Sequence, residues 1–350
     1  MSTLRVGIVG TGKIAVNHAA ALQGIDGVEL AGVHDLDPAR AAAFAARFGV
    51  ARHEPDLETF LSSGLDVVTV CTPHPSHEQV VVAAAAHGLH VLCEKPIAVT
   101  LAEADRMVAA VGAAGVRFGV LFQRRFWPAA RRVHQALDDG RLGTPIVGTL
   151  TMRWGRDAAY YAEPWRGRWD TEGGGALLNQ GIHYVDLLQW YLGTPVRVYG
   201  AIRTLKHGAY IEVEDTAVAT VEFASGAVAT IQAGTTFAPG LGTTVFVSDA
   251  AGAAASVTEY PEGTGHNDVW TVGGEHEYRA LLSTGVDADP SLGRIHEDLM
   301  PFHREQIAEF VAAVRADRAP LVTGRDARTA LAVVLGIYES SRTGAPVDLT

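Results

Sequence analysis

The sequence contains few cysteines and has no excess of positive charge. Only Cys71 and Cys93 occur in 350 residues, each near the end of an apolar run. Two isolated cysteines favour a reduced protein in which both are small buried hydrophobes, rather than a disulfide or a metal pair. The formal charge of −11, from 28 Lys and Arg against 39 Asp and Glu, provides no general attraction to phosphate backbones or anionic membranes. We therefore expect no nucleic-acid partner.

Long apolar runs are also missing. The run VVVAAAA at residues 80–86 is far shorter than the roughly 18 residues that a membrane-spanning helix requires. The first residues, MSTLRVGIVG, lead directly into a strand and lack the apolar core and cleavage site of a signal peptide. The 14 histidines form no Cys/His cluster with zinc-site spacing. We expect a cytoplasmic protein with no membrane partner and no metal.

The chain is long enough for two domains, because single hydrophobic cores rarely grow to 350 residues. From residue 4 to residue 122, short apolar runs alternate with helical segments, which predicts a doubly wound parallel sheet covered by helices on both faces. From residue 123 to residue 350, alternating apolar and polar runs predict an antiparallel sheet with helices on one face. The other face of that sheet is either solvated or part of a subunit interface.

A glycine-rich turn follows the first strand and opens the first helix. Gly10, Gly12 and Ala15 form a G-x-G-x-x-A motif, with Lys13 and Ile14 between the second and third positions. Such a turn brings the backbone close to a pyrophosphate at the helix N-terminus. Glycine patterns arise by chance in a chain with 38 glycines, but the strand before it and the helix after it favour a dinucleotide site.

An acidic residue stands where such a site needs one. Asp35 follows the second predicted strand, about twenty residues after the glycines, where a carboxylate binds the ribose hydroxyls of NAD. Asp35 could instead cap the next helix, but Asp37, directly before Pro38, is better placed for that role. Residues 36–38 include no arginine to neutralise a 2'-phosphate. The sequence therefore predicts NAD in preference to NADP.

Two further polar stretches stand at the ends of strands in the same predicted sheet. The first runs from Thr72 and Pro73 to His77, and the second contains Glu94 and Lys95. Prolines and serines in such stretches commonly build turns and cap helices. Lys95 is harder to explain as a surface residue, because it follows a buried strand at the edge where doubly wound folds bind ligands.

The stretch GGGALLNQGIHYVDLL at residues 173–188 predicts a helix that is buried on nearly all sides. Asn179, His183 and Asp186 stand at i, i+4 and i+7, so their polar side chains share one face. Buried polar groups require partners. This row is therefore either an internal hydrogen-bond network or the lining of a substrate cavity, and the helix alone does not distinguish these alternatives.

The segments GIVGTGKIA, CTPHPSH, CEKPIAVT and GGGALLNQGIHYVDLL, in this order and spacing, resemble the glucose-fructose oxidoreductase and inositol dehydrogenase family, Gfo/Idh/MocA. The similarity extends over essentially the whole chain. It implies an α/β protein with an N-terminal Rossmann domain and a C-terminal α/β domain with a mainly antiparallel open sheet. It also implies that Lys95 and His183 meet at the substrate, with His183 as general base on a hydroxyl and Lys95 positioning that oxygen.

One position departs from the family pattern. Many members have aspartate four residues before the histidine, and this chain has Asn179. An amide can orient the substrate or the imidazole, but it cannot carry negative charge or relay a proton. Asp186 could supply a charge one turn later, although it is better explained as an anchor for the helix. An aspartate-assisted proton relay is therefore not expected here.

Aromatic and arginine side chains precede the glycine run, and some of them are candidates for sugar binding. Aromatic rings stack on sugar faces and arginines bind hydroxyls or phosphates, although aromatic residues also pack loops. The expected substrate-binding residues are Lys95, Trp165, Arg166, Asn179 and His183. The expected catalytic residues are Lys95, His183 and Asn179. The residues expected at the cofactor are Gly10, Gly12, Lys13, Ile14, Asp35, Thr72, Pro73, His77, Glu94 and Lys95.

The sequence thus predicts an NAD-dependent oxidoreductase that transfers hydride between nicotinamide and a hydroxyl carbon of a sugar, cyclitol or sugar derivative. A homo-oligomer, either a dimer or a tetramer, is expected from the resemblance. Two alternatives stay open. One is a nucleotide-binding sensor without catalysis, and the other is a sugar reductase that retains a tightly bound NADP.

Overall fold

A computed structural model of the chain describes residues 3–278 and 290–349. The chain divides into two compact units, Met1–Gln123 with Met300–Arg328, and Arg124–Leu299 with Thr329–Thr350. The grouping differs from the contiguous second domain predicted from residue 123 onward. Residues 300–328 belong to the first unit because their apolar side chains pack in its core. Ile307 and Phe310 are part of the same buried cluster as Val6 and Leu22.

The first unit is built on a six-stranded parallel sheet. Its strand order is β3-β2-β1-β4-β5-β6, which is the Rossmann order, and the chain reverses its winding direction between β1 and β4. This confirms the predicted doubly wound sheet. The strands are β1 Leu4–Val9, β2 Val28–His34, β3 His53–Glu54, β4 Val67–Val70, β5 His90–Cys93 and β6 Phe118–Val120. The first five helices are α1 Ala15–Gln23, α2 Pro38–Phe48, α3 Leu57–Leu61, α4 His77–Ala86 and α5 Leu101–Ala114.

Local signals explain where the helices of this unit begin. The Asp37 carboxylate accepts hydrogen bonds from the backbone N–H groups of Ala39 and Arg40, and Pro38 occupies the first turn of α2. Thr100 and Glu103 form a reciprocal capping box at the start of α5. Because Asp37 caps α2, Asp35 is available for another role, as predicted.

The second unit contains a ten-stranded sheet with the order β15-β14-β12-β11-β7-β10-β9-β8-β16, and β13 pairs with β12. Among the described strands, the β7–β10 pair is parallel and the other pairs are antiparallel. The predicted mainly antiparallel sheet is therefore confirmed. Its longer strands are β7 Pro145–Arg153, β8 Pro195–Arg203, β9 Thr216–Phe223, β10 Val228–Gly234, β11 Gly242–Asp249 and β12 Ala254–Glu259. Its short strands are β13 Gly265–His266, β14 Val269–Trp270, β15 Glu277–Tyr278 and β16 Val347–Asp348.

Four longer helices complete the chain. They are α6 Pro128–Asp138, α7 Ile182–Leu192, α8 Leu292–Arg315 and α9 Gly324–Thr343. Within the part of the chain that the structure describes, no helix is both long and apolar enough to span a membrane.

Two buried ion pairs hold α7 in the second unit. The guanidinium of Arg125 binds the Asp186 carboxylate through two hydrogen bonds of 2.7 and 2.6 Å. Arg124 binds Glu259 in the same forked manner, at 2.8 and 3.0 Å, and the Tyr184 hydroxyl donates to the same carboxylate. Both arginines and both carboxylates are almost completely buried. Asp186 is therefore an anchor of the helix, in agreement with the simpler of its two interpretations.

Candidate active site

The glycine turn has the shape that a bound phosphate requires. Gly10 has a φ of +90°, and an added Cβ would lie 2.8 Å from the backbone carbonyl group of Cys71, so only glycine fits. Gly12 faces open space, because an added Cβ would meet no heavy atom within 4 Å. Ile14 stands at the N-cap position of α1 and Lys13 is exposed. The turn and the helix N-terminus thus present an open backbone surface that fits an anion.

Asp35 lies beside this turn and is held as a carboxylate. Its Oδ2 accepts hydrogen bonds from the Thr11 backbone N–H at 2.9 Å and from the Thr11 hydroxyl at 2.6 Å. Its Oδ1 accepts one from the Asp37 N–H at 3.0 Å. Burial raises the pKa of Asp35, but the hydrogen bonds of Thr11 and Asp37 and the charge of Arg40 lower it below its usual value. A carboxylate accepts about four hydrogen bonds, so Asp35 retains capacity for a ribose hydroxyl.

Arg40 was not anticipated from the sequence. Its Nη2 lies 3.4 Å from Asp35 Oδ2 and its side chain is 57% exposed. The sequence argument for NAD considered only residues 36–38. Arg40 follows the cap residue Asp37 by three residues. The first turn of α2 therefore brings its side chain back toward Asp35.

The loops after β4 and β5 are tied together by His77. This histidine is fully buried, with Nδ1 3.0 Å from the Pro96 carbonyl oxygen and Nε2 3.0 Å from the Thr72 carbonyl oxygen. Burial lowers the pKa of His77, and a neutral imidazole donates to one of these carbonyls at a time. His77 thus fixes the relative position of both loops through its ring. Its predicted part in cofactor binding, like that of Pro73, stays a prediction.

The carboxylate of Glu94 is buried and connects the loop after β5 to α1. Its Oε1 lies 3.0 Å from Nε2 of His18, and its Oε2 accepts a hydrogen bond from the Lys95 backbone N–H at 3.2 Å. Burial raises the pKa of Glu94, but the hydrogen bond and charge of His18, with the charges of His303 and Lys95, hold it at about 2. Glu94 is therefore ionised at neutral pH and places a negative charge beside the half-buried Lys95.

In the second unit, the glycine run starts the helix that carries His183. Gly175 packs against Glu214 so closely that an added Cβ would lie 1.9 Å from the Glu214 carbonyl oxygen. The Glu214 carboxylate accepts hydrogen bonds from the N–H groups of Gly175 at 2.7 Å and Leu177 at 2.8 Å, and from the Tyr338 hydroxyl at 2.8 Å. A carboxylate at a helix N-terminus satisfies the unpaired N–H groups of the first turn. Glu214 therefore sets where this helix begins.

The first turns of this helix differ from the regular α-helix predicted. Ala176–Gly181 form a π-helix, and α7 begins only at Ile182. The spacing of Asn179 and His183 is therefore not that of a continuous α-helix. Asn179 and His183 are 9% and 5% exposed, and Asp186 is bound to Arg125. The three residues of the predicted row therefore differ in role. Asp186 is a structural carboxylate, whereas Asn179 and His183 are not part of its ion pair.

A buried carboxyl group, that of Glu172, lies beside Asn179. The Asn179 amide donates from Nδ2 to Glu172 Oε1, and Glu172 Oε2 accepts a hydrogen bond from the Gly167 N–H at 2.6 Å. Glu172 is 1% exposed. Sequence reasoning overlooked it, although an acid directly before a glycine run at a helix start is a recognisable signal. A carboxyl group is thus present one side chain away from Asn179.

Trp165 and Arg166 lie on the loop before the glycine run. The Arg166 guanidinium carbon is 4.6 Å from the centre of the Trp165 ring and 4.1 Å from that of Tyr160. The Tyr160 hydroxyl in turn accepts a hydrogen bond from Gln180 Nε2 at 2.7 Å. The predicted substrate-binding loop is therefore attached to the helix that carries His183.

The first unit suits a dinucleotide on structural grounds. The turn around Gly12 is open, Asp35 is ionised with an acceptor position to spare, and the Thr72 hydroxyl is a buried polar atom without a hydrogen-bond partner among the described residues. Such an atom at the carboxyl end of a parallel strand is where a doubly wound sheet contacts its ligand. Within residues 3–278 and 290–349, no cluster of three or more His, Cys, Asp or Glu side chains could hold a metal ion.

Comparison with known proteins agrees with this geometry. Residues 4–122 match the oxidoreductase family with an NAD-binding Rossmann fold, and residues 130–253 match the Gfo/Idh/MocA C-terminal domain. The chain is 30% identical to a D-apiose dehydrogenase of Paraburkholderia graminis, over 98% of this chain and 88% of the relative. It is 36% identical to an inositol 2-dehydrogenase of Acidothermus cellulolyticus over 57% of each chain.

Solved structures give the same result. The WlbA dehydrogenase of Bordetella pertussis, crystallised with NADH and UDP-GlcNAcA, has a TM-score of 0.81, 30% identity and 99% coverage of both chains. The structure of GenD2 from gentamicin A biosynthesis in complex with NAD has a TM-score of 0.81 at 27% identity and covers 100% of this chain and 97% of GenD2. The resemblance found in the sequence and the predicted cofactor are confirmed. The chain belongs to the Gfo/Idh/MocA family of oxidoreductases and uses NAD.

Proposed function

We propose that this protein is a dehydrogenase that oxidises a CH–OH group of a sugar, a cyclitol or a sugar derivative. The observation that carries the proposal is Lys95, which is half-buried two residues beyond the end of β5 and adjacent to the ionised Glu94. The names of the relatives point to the same class, since they include D-apiose and inositol dehydrogenases. A fixed positive charge at the carboxyl edge of a Rossmann sheet suits an oxygen that gains negative charge during oxidation.

The first unit supplies the cofactor site. When bound, NAD provides the acceptor for the hydride that leaves the substrate carbon. We propose that Asp35 accepts hydrogen bonds from the ribose hydroxyls and that the Thr72 hydroxyl contributes a further polar contact. The backbone of the turn, at Gly10, Gly12, Lys13 and Ile14, receives the pyrophosphate.

The proton of the reacting hydroxyl requires a separate acceptor. We propose that a ring nitrogen of His183 takes this proton, because a neutral imidazole has one ring nitrogen that accepts a proton. The Lys95 ammonium then donates a hydrogen bond to the same oxygen as its negative charge grows.

Asn179 has an orienting role in this proposal. Its amide donates to Glu172, so the direction of the amide is determined by a buried carboxylate. An amide neither gains nor loses a proton at neutral pH, and Asn179 therefore orients the substrate or His183.

The experiment for this proposal combines a substrate panel with two variants. Neutral sugars, cyclitols, sugar acids and nucleotide sugars are tested with NAD by following the absorbance of reduced nicotinamide. Lys95→Ala and His183→Ala should each lower turnover of the best substrate roughly 10²-fold or more. NADH binding, measured by fluorescence titration, should barely change. Turnover by the double variant should be little lower than turnover by the less active single variant, because the effects of two groups that act on one oxygen are not additive.

Wild-type turnover in His183→Ala would refute the role of His183 as the base. Absence of turnover with every compound, together with tight NADH binding, would favour a sensor that binds nucleotide without catalysis.

We further propose that NAD is preferred over NADP in spite of Arg40. The Asp35 carboxylate would repel a 2'-phosphate, and Arg40 is largely exposed and already paired with Asp35. Asp35→Ser should release Arg40 and raise the affinity for NADPH relative to NADH, because an arginine then faces the phosphate without a competing carboxylate. Titrations with both reduced cofactors test this, and equal affinity of the wild type for both would contradict it.

We also propose that the enzyme is a cytoplasmic homo-oligomer. Both cysteines are buried free thiols, which suits a reducing compartment. On the exposed face of the second sheet, Tyr199, Val218 and Val228 are 51%, 49% and 50% exposed, and exposed apolar side chains on one sheet face suit a subunit interface. Light scattering after size-exclusion chromatography should give a dimer or a tetramer, and Val218→Lys should weaken it. A wild type that is monomeric at micromolar concentration would exclude this arrangement.

A further inference from the structure

Two arginines lie against one tyrosine ring in the second unit. We use the name Tyr160 cluster for Arg156, Tyr160, Trp165 and Arg166. The guanidinium carbons of Arg166 and Arg156 lie 4.1 and 5.0 Å from the centre of the Tyr160 ring, and that of Arg166 lies 4.6 Å from the centre of the Trp165 ring. Aromatic faces hold guanidinium groups by cation–π attraction. The position of the Arg166 side chain is therefore constrained before any ligand binds.

The two arginines differ in how their charges are balanced. Arg156 is nearly buried and donates to the Glu262 carboxylate at 2.6 Å, so its charge is neutralised locally. Arg166 has no carboxylate within salt-bridge distance among the described residues. Its Nη1 is buried and donates to no acceptor in that part of the chain. The Tyr160 cluster thus retains one uncompensated positive charge with a buried N–H group that lacks an acceptor.

The buried carboxyl group of Glu172, next to Asn179, binds other donors. Glu172 uses its two oxygens for the Asn179 amide and the Gly167 N–H. A buried donor without an acceptor is costly, and an arginine held between aromatic rings presents a planar fork of N–H groups that matches a carboxylate or a phosphate. The cluster therefore has the shape and the charge of an oxyanion site.

The Tyr160 cluster is attached to the helix that carries the proposed base. The Tyr160 hydroxyl accepts hydrogen bonds from Gln180 Nε2 at 2.7 Å and from Asn179 Nδ2 at 3.4 Å. Asn179 precedes His183 by four residues. An anion bound at Arg166 is thereby connected, through one tyrosine, to the helical turn that we assign to the substrate.

We propose that Arg166 binds an anionic group of the substrate, a carboxylate or a phosphate, and that the natural substrate is an acidic derivative of a sugar. This inference rests on the proposed function, because it assigns the bound anion to the molecule that is oxidised. A neutral sugar could accept hydrogen bonds from Arg166 but would leave its charge unbalanced.

The test compares matched anionic and neutral substrates with three variants. The panel contains D-glucose, D-glucuronate, D-glucose 6-phosphate and UDP-glucuronate, together with further neutral sugars, inositols, uronates and sugar phosphates. We expect the highest kcat/KM for an anionic compound. Arg166→Gln should lower that value roughly ten- to a hundredfold, mainly through KM, because a charge-assisted hydrogen bond is lost. Turnover of neutral compounds should change less than about threefold, since they make no such contact.

Two further variants separate binding from structure. Arg166→Lys retains a cation between the rings and should recover part of the affinity for the anion, but not the forked geometry. Arg168→Gln is the matched control, because Arg168 stands two residues away on the same loop in an exposed pair with Glu212. It should leave kcat/KM within about twofold. Uronates and sugar phosphates form separate arms, so the preferred arm identifies the anion.

The outcomes distinguish this inference from the proposed function. If neutral sugars are oxidised best, or if Arg166→Gln affects neutral and anionic compounds equally, the inference is wrong and the proposed function stands. If no compound is oxidised, the proposed function is wrong, and thermal melts with NADH and millimolar D-glucuronate or D-glucose 6-phosphate decide the anion site. Stabilisation of the wild type but not of Arg166→Gln supports the site, and no stabilisation overturns it.

Discussion

Two buried carboxyl groups, Glu94 of the first unit and Glu214 of the second, have different kinds of partner. In the first unit, the hydrogen bond and charge of His18, with the charges of His303 and Lys95, lower the pKa of Glu94 to about 2 although burial raises it. In the second unit, the hydrogen bonds that Glu214 receives from described residues come from neutral donors, the N–H groups of Gly175 and Leu177 and the hydroxyl of Tyr338. Burial raises the pKa of Glu214 to about 7 despite these bonds.

This difference shows whether burial or the partners dominate the pKa of each carboxyl group. Neutral donors offset only part of the cost of removing a carboxylate from water, whereas nearby positive charges reverse it. Glu94 therefore provides a permanent negative charge beside Lys95. Glu214, at the start of the helix that carries His183, can change protonation near neutral pH. The following predictions test this contrast, from the largest expected effect to the smallest.

Removal of a cationic partner in the second unit should give the largest loss in the free energy of unfolding. Arg125→Met leaves the Asp186 carboxylate buried without its forked partner, and we expect the free energy of unfolding to fall by about 3–5 kcal/mol. Urea denaturation measures this loss. The control is Arg342→Met, which removes an exposed pair with Glu339 and should change the free energy of unfolding far less, because solvent screens such a pair. A loss of the same small size in both variants would show that charged partners are not decisive for this unit.

Removal of the charge in the first unit should have the next largest effect. Glu94→Gln retains an acceptor for His18 but abolishes the carboxylate. Since one pKa unit corresponds to about 1.4 kcal/mol, a shift from 4.5 to about 2 represents roughly 3 kcal/mol of stability at pH 7. A lowered pKa stabilises the folded protein above the unfolded value, and this contribution is lost as the pH falls from about 4.5 toward 2. Urea curves at pH 7 and pH 3 should therefore bring wild type and variant closer together at the lower pH.

Glu78→Gln provides the control for that comparison, because Glu78 forms a more accessible pair with Arg106. Its effect on unfolding at pH 7 should be below about 1 kcal/mol. If Glu94→Gln is no more destabilising than Glu78→Gln, the ionised state of Glu94 does not contribute to folding.

Glu214 should show the opposite dependence on pH. Its pKa in the folded protein, about 7, exceeds the ordinary 4.5, so the folded state binds more protons between these values. The stability of the wild type should fall by about 2 kcal/mol between pH 5 and pH 8 through this group, because the carboxylate must ionise while buried. Glu214→Gln should remove that part of the slope in urea experiments at pH 5, 6, 7 and 8. Identical slopes for wild type and variant would place the Glu214 pKa outside this range.

The smallest effect is expected at Arg40. Its side chain is 57% exposed, and exposed ion pairs are worth less than about 1 kcal/mol. Arg40→Gln should therefore leave Asp35 ionised by its Thr11 hydrogen bonds and change the NADH dissociation constant less than about threefold. Fluorescence titration measures this constant, and a tenfold weakening would instead indicate direct contact between Arg40 and the cofactor.

Much of the fold could be predicted from the sequence, because the relevant signals are local. The alternation of strand and helix before residue 123, the G-x-G-x-x-A turn at Gly10, and the cap formed by Asp37 and Pro38 all depend on neighbours within a few residues. The family and its NAD cofactor follow from the same local motifs. The π-helix at Ala176–Gly181 was missed, because the apolar periodicity of that stretch also suits an α-helix.

The partners of the buried charges were decided only by the tertiary structure. Asp186 contacts Arg125 across 61 residues, Glu214 contacts Tyr338 across 124 residues, and residues 300–328 join the first unit. No periodicity encodes such pairs, because they depend on which chain segments the packed cores bring together. The sequence by itself determined the residue types that could carry chemistry. The tertiary contacts determined the environment of each carboxylate, and therefore which of them are ionised at neutral pH, because desolvation and nearby charge act over distances in space.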